Sequence, residues 1–223
     1  MRFLLALLLA VLATPAAAQS AWPDQAPQAW GLAIVDVETT GLDPAFHEMI
    51  DFGVIYTTLE GEELGRLYVR IMPDHPDRLD PGAFAVNGFD VDHWRANGAV
   101  TEEEALAQLD AFHAQAGAGR TMIFTAFNVQ FDIQFMAALM AQHDRGWRHY
   151  WHWSPLDLPS MAWGQGQTAL RGGQLASAYG LPPETSVPLD HTGMTGAQWN
   201  LDFYRALLNR QSVRQATSTV TRK

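Results

Sequence analysis

Two carboxylates near the start of the chain are placed to do chemistry together. Asp36 and Glu38 flank Val37 at the end of an apolar run, Trp30 to Val37, that predicts a central β-strand. Residues two apart on a strand point to the same face, so these carboxylates repel each other unless a cation lies between them. Hard divalent cations prefer oxygen ligands, so the pair indicates a metal site. The alternative to a metal site is an ordinary strand end that is exposed to water, where acidic residues are common. The pair Asp36 and Glu38, taken alone, favours this alternative.

A third carboxylate and a histidine extend the pattern. Asp132 follows a predicted strand, Thr121 to Phe127, and opens a predicted helix, Phe131 to His143. Its ordinary role there would be a cap, because the helix dipole favours a carboxylate at a helix N-terminus. His191 is predicted to lie in a loop, where a single histidine is more often a surface residue than a catalyst. Each signal alone is modest, whereas their order and spacing together are specific.

The elements that must position these residues alternate between strands and helices. Three runs predict an antiparallel meander of strands: Trp30–Val37, Glu48–Thr57 and Leu67–Met72. A capping box at Thr101 and Glu104 starts a predicted helix that ends near Gln115. Strand 121–127 and helix 131–143 follow, then an aromatic stretch, Tyr150 to Leu158, and helices over 170–179 and 196–209. The fold class is therefore α/β with a mixed sheet, in one domain over residues 30–210.

The aromatic stretch leaves two interpretations open. Aromatic and basic side chains between Arg145 and Trp153 could stack on bases and contact phosphates. They could equally be a strand that buries alternate aromatic side chains under helices, and the sequence favours this second interpretation.

Composition bounds the class of protein. The formal net charge is −10, and the single lysine is Lys223. This argues against a surface that grips duplex DNA through many phosphates. It leaves a nuclease open, because an acidic metal site attracts phosphate through its ions. The chain has no cysteine, which excludes disulfides, thiolate zinc sites and cysteine nucleophiles.

The two ends of the chain carry their own predictions. Residues 1–18 combine Arg2, an apolar run from Phe3 to Ala13, and an A-x-A site ending at Ala18, which together predict a secretory signal peptide. The protein would be exported, periplasmic or secreted, with no stable membrane anchor after cleavage. A wrong start at Met1, giving a cytoplasmic protein, is the weaker alternative. Residues 19–29 are predicted to be an irregular lead-in, and the Ser/Thr-rich residues 211–223 a disordered tail.

The motifs resemble those of the DEDDh exonucleases, a family that includes the DNA polymerase III epsilon subunit, ribonuclease T and oligoribonuclease. Residues 36–41, DVETTG, resemble the first motif, and residues 128–132, NVQFD, resemble the second, N-x-x-F-D. His191 stands where the third motif, H-x-A-x-x-D, begins. Segments 79–88 and Asp157-Leu158 also resemble the family. The resemblance implies a ribonuclease H-like fold, a mixed five-stranded sheet flanked by helices.

The resemblance also implies a separate catalytic role for each site residue. In the family mechanism two metal ions, here Mg²⁺ or Mn²⁺, clamp the scissile phosphate. Asp36 would bridge both ions, Glu38 would hold the ion that activates water, and Asp132 would support the other. His191 would accept a proton from the attacking water.

Binding partners follow from the same resemblance. Thr39, Thr40 and Asn128 would contact the terminal nucleotide. The substrate would be single-stranded DNA, RNA or a short oligonucleotide, and the sequence does not choose among them. Several relatives are dimers, so a homodimer stays open as an oligomeric state.

One departure from the family bears on activity. Gly196 stands where the third motif has its aspartate, and Gly193 stands where it has alanine. Three substitutes are conceivable: Asp190, whose loop position points it elsewhere; Asp202, about 9 Å along the helix axis and too far; and a water molecule. Two hypotheses follow. The chain is either an exported 3′–5′ exonuclease, with activity weakened by Gly196, or a catalytically inactive exonuclease-fold protein that acts by nucleic-acid binding or protein interaction.

Overall fold

The computed structural model describes residues 22–220, and its centre is a five-stranded mixed sheet. The strands are β1 (Trp30–Thr39), β2 (Met49–Thr57), β3 (Glu63–Arg70), β4 (Thr121–Ala126) and β5 (Leu156–Asp157). They lie in the order β3-β2-β1-β4-β5. β1 pairs antiparallel with β2 and parallel with β4, and β2 pairs antiparallel with β3. The predicted meander and the mixed five-stranded sheet are confirmed.

Eight α-helices surround the sheet within residues 22–220. They are α1 (Pro81–Asn87), α2 (Val91–Ala96), α3 (Glu102–Ala116), α4 (Gln130–Gln142), α5 (Trp147–Tyr150), α6 (Leu158–Gly164), α7 (Gly172–Tyr179) and α8 (Gly193–Val220). The predicted capping box starts α3, since Thr101 Oγ1 accepts from the N–H of Glu104 and the Glu104 carboxylate accepts from the N–H of Thr101. None of these helices is long and apolar enough to cross a lipid bilayer.

Alternation along β1 sends its side chains into two separate cores. Ala33, Val35 and Val37 join the cluster that includes residues of α3 and α4. Leu32 and Ile34 join the cluster that includes residues of α6, α7 and α8. The period of two along a strand continues this second face through Asp36 and Glu38, so the carboxylates lie on the α8 side where the apolar residues stop.

The parallel pairing of β1 and β4 brings the first two motifs to one edge of the sheet. The register runs from Trp30 opposite Thr121 to Ile34 opposite Thr125, so both strands end at the same edge. In open α/β sheets the crevice beyond the strand C-termini is where ligands bind. The end of β1 carries Asp36 and Glu38, and the turn after β4 leads into α4 and Asp132.

Two predictions need correction. α8 continues to Val220, so residues 211–220 are helical where a disordered tail was predicted; residues 221–223 lie outside the described part of the chain. The aromatic stretch is not one strand: α5 is a short helix, followed by a bridge between Trp151 and Met122 and by β5. Tyr150 and Trp151 are nonetheless buried, as the second interpretation required, whereas Trp153 is exposed. The predicted signal peptide, residues 1–18, lies outside the described residues.

Candidate active site

The two carboxylates of β1 open into one cavity of about 430 Å³. Asp36 is partly exposed to it, whereas Glu38 is buried. Asn87 at the end of α1 holds the strand end, since its side-chain amide lies 3.4 Å from Glu38 Oε2 and donates to the Thr39 carbonyl at 3.0 Å. The register of β1 against β2 shifts between Glu38 and Thr39, and such an irregularity re-aims the side chains that follow it.

Asp132 reaches the same cavity because of the turn between β4 and α4. Asn128 has φ 58°, in the left-handed region that asparagine tolerates better than most residues, and this turns the chain into the helix. Asp157 at the end of β5 fixes the turn by accepting from the N–H of Val129 at 3.2 Å and from the N–H of Ser160. The first turn of α4 then buries Asp132 in the wall of the cavity.

His191 approaches from the loop that precedes α8. Its Nδ1 lies 2.8 Å from the Thr185 carbonyl oxygen. A carbonyl can only accept, so Nδ1 carries the proton, and Nε2 of the neutral ring is left as an acceptor. Nε2 faces the carboxylates and lies 3.3 Å from Glu38 Oε1. This tautomer is the one that a general base for an attacking water requires.

The three predicted nucleotide contacts do not share one position. Thr39 and Asn128 both line the cavity. Thr40 is fully buried, and its hydroxyl accepts from the N–H of Glu48 at 2.9 Å, so it stabilises the turn and does not line the cavity. A direct nucleotide contact stays a prediction for Thr39 and Asn128, whereas the buried Thr40 hydroxyl supports the turn instead.

Burial and the mutual repulsion of their charges raise the pKa values of the carboxylates that line the cavity. Burial, and then the negative charges of Asp132, Glu38 and Glu184, raise the pKa of Asp36 well above its usual value. Burial, and then Asp51, raise the pKa of Glu38 to about 9, although its hydrogen bond from Asn87 opposes the shift. Burial also raises the pKa of Asp132, while backbone N–H groups lower it. A cation at the site would relieve this repulsion.

The third motif is held against the sheet by hydrogen bonds. Asp51 on β2 accepts from the N–H of Gly193 at 2.8 Å, and Asn200 donates to the Val35 carbonyl at 3.0 Å. This packing places Gly196 directly over Asp36, where an added Cβ would overlap the Asp36 carboxylate. Asp190 and Asp202 do not line the cavity, so neither replaces the aspartate that the third motif has at position 196. This is the arrangement that the sequence predicted.

Three polar residues of the cavity, Asp80, Asn87 and Glu184, were not among the predicted site residues. Asn87 belonged to a segment that resembled the family, but nothing in the sequence assigned its amide to Glu38. Glu184 lies in the loop between α7 and α8, with no motif or periodicity around it. Its carboxylate lines the cavity, and Oε1 lies 3.9 Å from His191 Nε2.

The cavity fits a divalent cation by the chemistry of its donors. Its lining holds the carboxylates of Asp36, Glu38, Asp80, Asp132 and Glu184 and, among the described residues, neither lysine nor arginine. The Asp80 carboxylate caps α1 by accepting from the N–H groups of Gly82 and Ala83, which leaves the other four for a cation. Carboxylate oxygens are the ligands that hard divalent cations prefer. Within residues 22–220, no group of three or more His, Asp or Glu side chains is already spaced to hold an ion. The donors are therefore suitable in type and charge, and their side chains would have to converge on binding.

The chain matches no described family model. It is 30% identical over 138 residues to the oligoribonuclease of Halorhodospira halophila (strain DSM 244 / SL1), which covers 59% of this chain and 72% of that relative. Solved structures of E. coli exonuclease I share the fold: one with a dT13 oligonucleotide has a TM-score of 0.67 at 18% identity, over 84% of this chain and 43% of that one. A zinc-bound complex with single-stranded DNA has a TM-score of 0.66 at 18% identity, over 82% and 41%.

These similarities agree with the geometry of the cavity. The chain spans about two fifths of the exonuclease I chains it matches, so that likeness concerns the fold alone. The oligoribonuclease is matched over most of its length. The motif residues Asp36, Glu38, Asp132 and His191 meet in one cavity, in the order along the chain that the family motifs have. The chain belongs to the DEDDh family of 3′–5′ exonucleases.

Proposed function

We propose that the chain is an exported, divalent-metal-dependent 3′–5′ exonuclease that hydrolyses phosphodiester bonds in single-stranded nucleic acid or short oligonucleotides. The observation that carries the proposal is the convergence of Asp36, Glu38, Asp132 and His191 on one cavity. The name of the H. halophila relative, oligoribonuclease, and the single-stranded oligonucleotides in the exonuclease I structures support this class of substrate.

The residues of the chain have distinct tasks in this proposal. Bound Mg²⁺ or Mn²⁺ would neutralise the scissile phosphate and favour deprotonation of the attacking water. Asp36, Glu38 and Asp132 would hold the cations, while His191 Nε2 would accept the proton. The Thr185 carbonyl keeps the ring in the tautomer that this transfer needs. Thr39 and Asn128 line the wall on which the terminal nucleotide would lie.

The size of the cavity and the net charge of the chain favour a short, single strand over a duplex. About 430 Å³ lies within the roughly 300–1,000 Å³ of sites that hold a drug-sized ligand, so the cavity has room for a terminal nucleotide. The net charge of −10 adds no broad basic surface for duplex phosphates. Terminal nucleotides of a frayed or single-stranded end are therefore the proposed substrate.

The test is nucleotide release by the purified chain lacking residues 1–18. 5′-labelled single-stranded DNA and RNA are incubated with Mg²⁺ or Mn²⁺, beside Asp36→Asn as the inactive control. We expect a ladder of progressively shorter 5′-labelled products that disappears in EDTA and in Asp36→Asn. Absence of turnover with both metals, while the H. halophila oligoribonuclease is active in parallel, would contradict the proposal and favour a binding role.

Export is proposed from residues 1–18 alone. Mass spectrometry of the protein recovered from its native host measures the mature N-terminus. A first residue of Gln19 is expected, whereas an intact Met1 in the recovered protein would refute export by cleavage.

A further inference from the structure

Gly196 leaves a space that two other carboxylates occupy. A Cβ added at this position would overlap Asp36 Oδ2 and would lie 3.0 Å from Glu184 Oε1. The volume into which a side chain at position 196 would project therefore already holds oxygen atoms of Asp36 and Glu184. Since the third motif of the family has its aspartate at this position, Glu184 reaches from another segment into the volume where that aspartate would begin.

The loop that carries Glu184 is fixed on both sides of it. The Pro182 carbonyl accepts from the indole N–H of Trp199 on α8 at 3.0 Å. The Thr185 carbonyl accepts from His191 Nδ1 at 2.8 Å. These two bonds attach residues 182–185 to α8 and to the catalytic histidine, so the backbone of Glu184 keeps its position relative to the cavity.

The ionisable side chains around Glu184 in the cavity are mainly acidic, so a structural ion pair does not explain its position. Its carboxylate faces a cavity that is lined by Asp36, Glu38 and Asp132, and the neutral His191 ring, whose Nε2 lies 3.9 Å away, carries no charge to balance it. No lysine or arginine lines this cavity in the part of the chain that the structure describes. The Glu184 side chain is 36% exposed, so water solvates its charge in the metal-free chain. Together with Asp36, Glu38 and Asp132 it supplies four negative charges, which match the charge of two divalent ions.

We propose that Glu184 replaces the carboxylate that is absent at Gly196 and is the fourth acidic ligand of the divalent-metal site. The inference rests on the proposed function, because it concerns the same cavity. It changes one expectation from the sequence: the fourth carboxylate is present, but the loop before α8 supplies it. The site then has the charge of a complete set of four acidic residues, and full exonuclease activity does not require an aspartate at position 196.

Binding of Mn²⁺ in the absence of nucleic acid tests this directly. Isothermal titration calorimetry is performed on the purified chain and on Glu184→Gln, which keeps the size of the side chain and removes its charge. Glu103→Gln on the exposed face of α3 is the matched control, and thermal melts establish that each variant is folded. We expect Glu184→Gln to weaken Mn²⁺ binding by at least roughly 10-fold, since even outer partners of a metal site cost 10–100-fold. Glu103→Gln should bind as the natural chain does.

Gly196→Asp provides the complementary variant. In a Glu184→Ala background, which empties the space that Glu184 occupies, an aspartate at position 196 should restore Mn²⁺ binding once the Asp36 carboxylate rotates away from the added Cβ. Glu184→Asp retains the charge but shortens the side chain, so its affinity should fall between those of the natural chain and Glu184→Gln. Mn²⁺ binding by folded Glu184→Gln that equals that of the natural chain would overturn the proposal, and so would an affinity of Glu184→Asp as low as that of Glu184→Gln.

Asp132→Asn separates failure of this inference from failure of the proposed function. If the natural chain binds Mn²⁺ and Asp132→Asn weakens binding while Glu184→Gln does not, Glu184 is not a ligand but the metal site stands. If the natural chain binds no Mn²⁺, both the metal-dependent function and the role of Glu184 are refuted.

Discussion

Replacing Gly53 by alanine should displace the start of α8 and thereby disturb the active site without touching it. Gly53 lies on β2 opposite Asp36, against the first turn of α8. A Cβ there would overlap the Gly193 carbonyl and would lie 2.5 Å from Met194 Cα. Carbon atoms in contact are roughly 3.5–4.0 Å apart, so the helix would have to retreat by about 1 Å.

The size of the effect follows from that displacement. An extra methyl group that forces a backbone shift costs about 1–3 kcal/mol of unfolding free energy. For a domain of this size each kcal/mol corresponds to roughly 2–4 °C, so Tm should fall by about 2–12 °C. The shift also moves the loop with His191 relative to Glu38, and a misplacement of about 1 Å can lower turnover roughly 100-fold.

Differential scanning calorimetry and nucleotide release measure the two effects. The matched control is Gly173→Ala on α7, where no atom lies within 4 Å of the added Cβ. In an exposed helical position this change should raise stability by up to about 1 kcal/mol and leave turnover unchanged. A Gly53→Ala protein with the Tm and turnover of the natural chain would refute the account of how α8 is positioned.

Three further predictions concern the base, a buried carboxylate and a helix cap. His191→Asn should lower kcat by about 10²–10⁴-fold because the proton acceptor is lost; Mn²⁺ binding measured by calorimetry should persist, and an unchanged kcat would rule out the role. Burial raises the pKa of Asp51 to about 6 in the folded chain, so its contribution to stability is present below about pH 4 and is lost as pH rises through about 6. The free energy of unfolding, measured with urea in EDTA, should therefore fall with pH in the natural chain but not through this residue in Asp51→Asn. The difference between variant and natural chain should shift in favour of the variant by roughly 2–3 kcal/mol from pH 4 to pH 7. A difference that stays constant with pH would contradict this. Thr101→Ala should cost about 1 kcal/mol by removing the cap of α3, with nucleotide release unchanged; an unchanged Tm would argue against the cap.

The sequence predicted the parts of the site that depend on local pattern. Asp36 and Glu38 share a face because a strand alternates, and the turn after β4 places Asp132 at the start of α4. His191 was found through its motif, and the structure brings it within 3.3 Å of Glu38. The apolar runs that form β1, β2 and β4 also predicted these strands, whereas the mixed five-stranded sheet was implied by the family resemblance.

Residues that depend on the path of a loop were not predictable. Glu184 reaches the cavity because α8 and His191 hold its loop, and no local pattern encodes that contact. Thr40 was grouped with Thr39 by its motif, yet the two side chains point to different environments. The polar composition of residues 211–220 suggested disorder, but no glycine or proline interrupts the chain there, and α8 continues to Val220.

The most direct test of the central claim is a crystal structure of the chain with Mn²⁺ and a nucleoside monophosphate, with the ions located by anomalous scattering. The account predicts anomalous peaks within the cavity lined by Asp36, Glu38 and Asp132, with the phosphate of the nucleotide against them and Glu184 in contact with one ion. A well-ordered cavity without a peak at saturating Mn²⁺ would contradict the assignment of this site as a metal-dependent exonuclease centre.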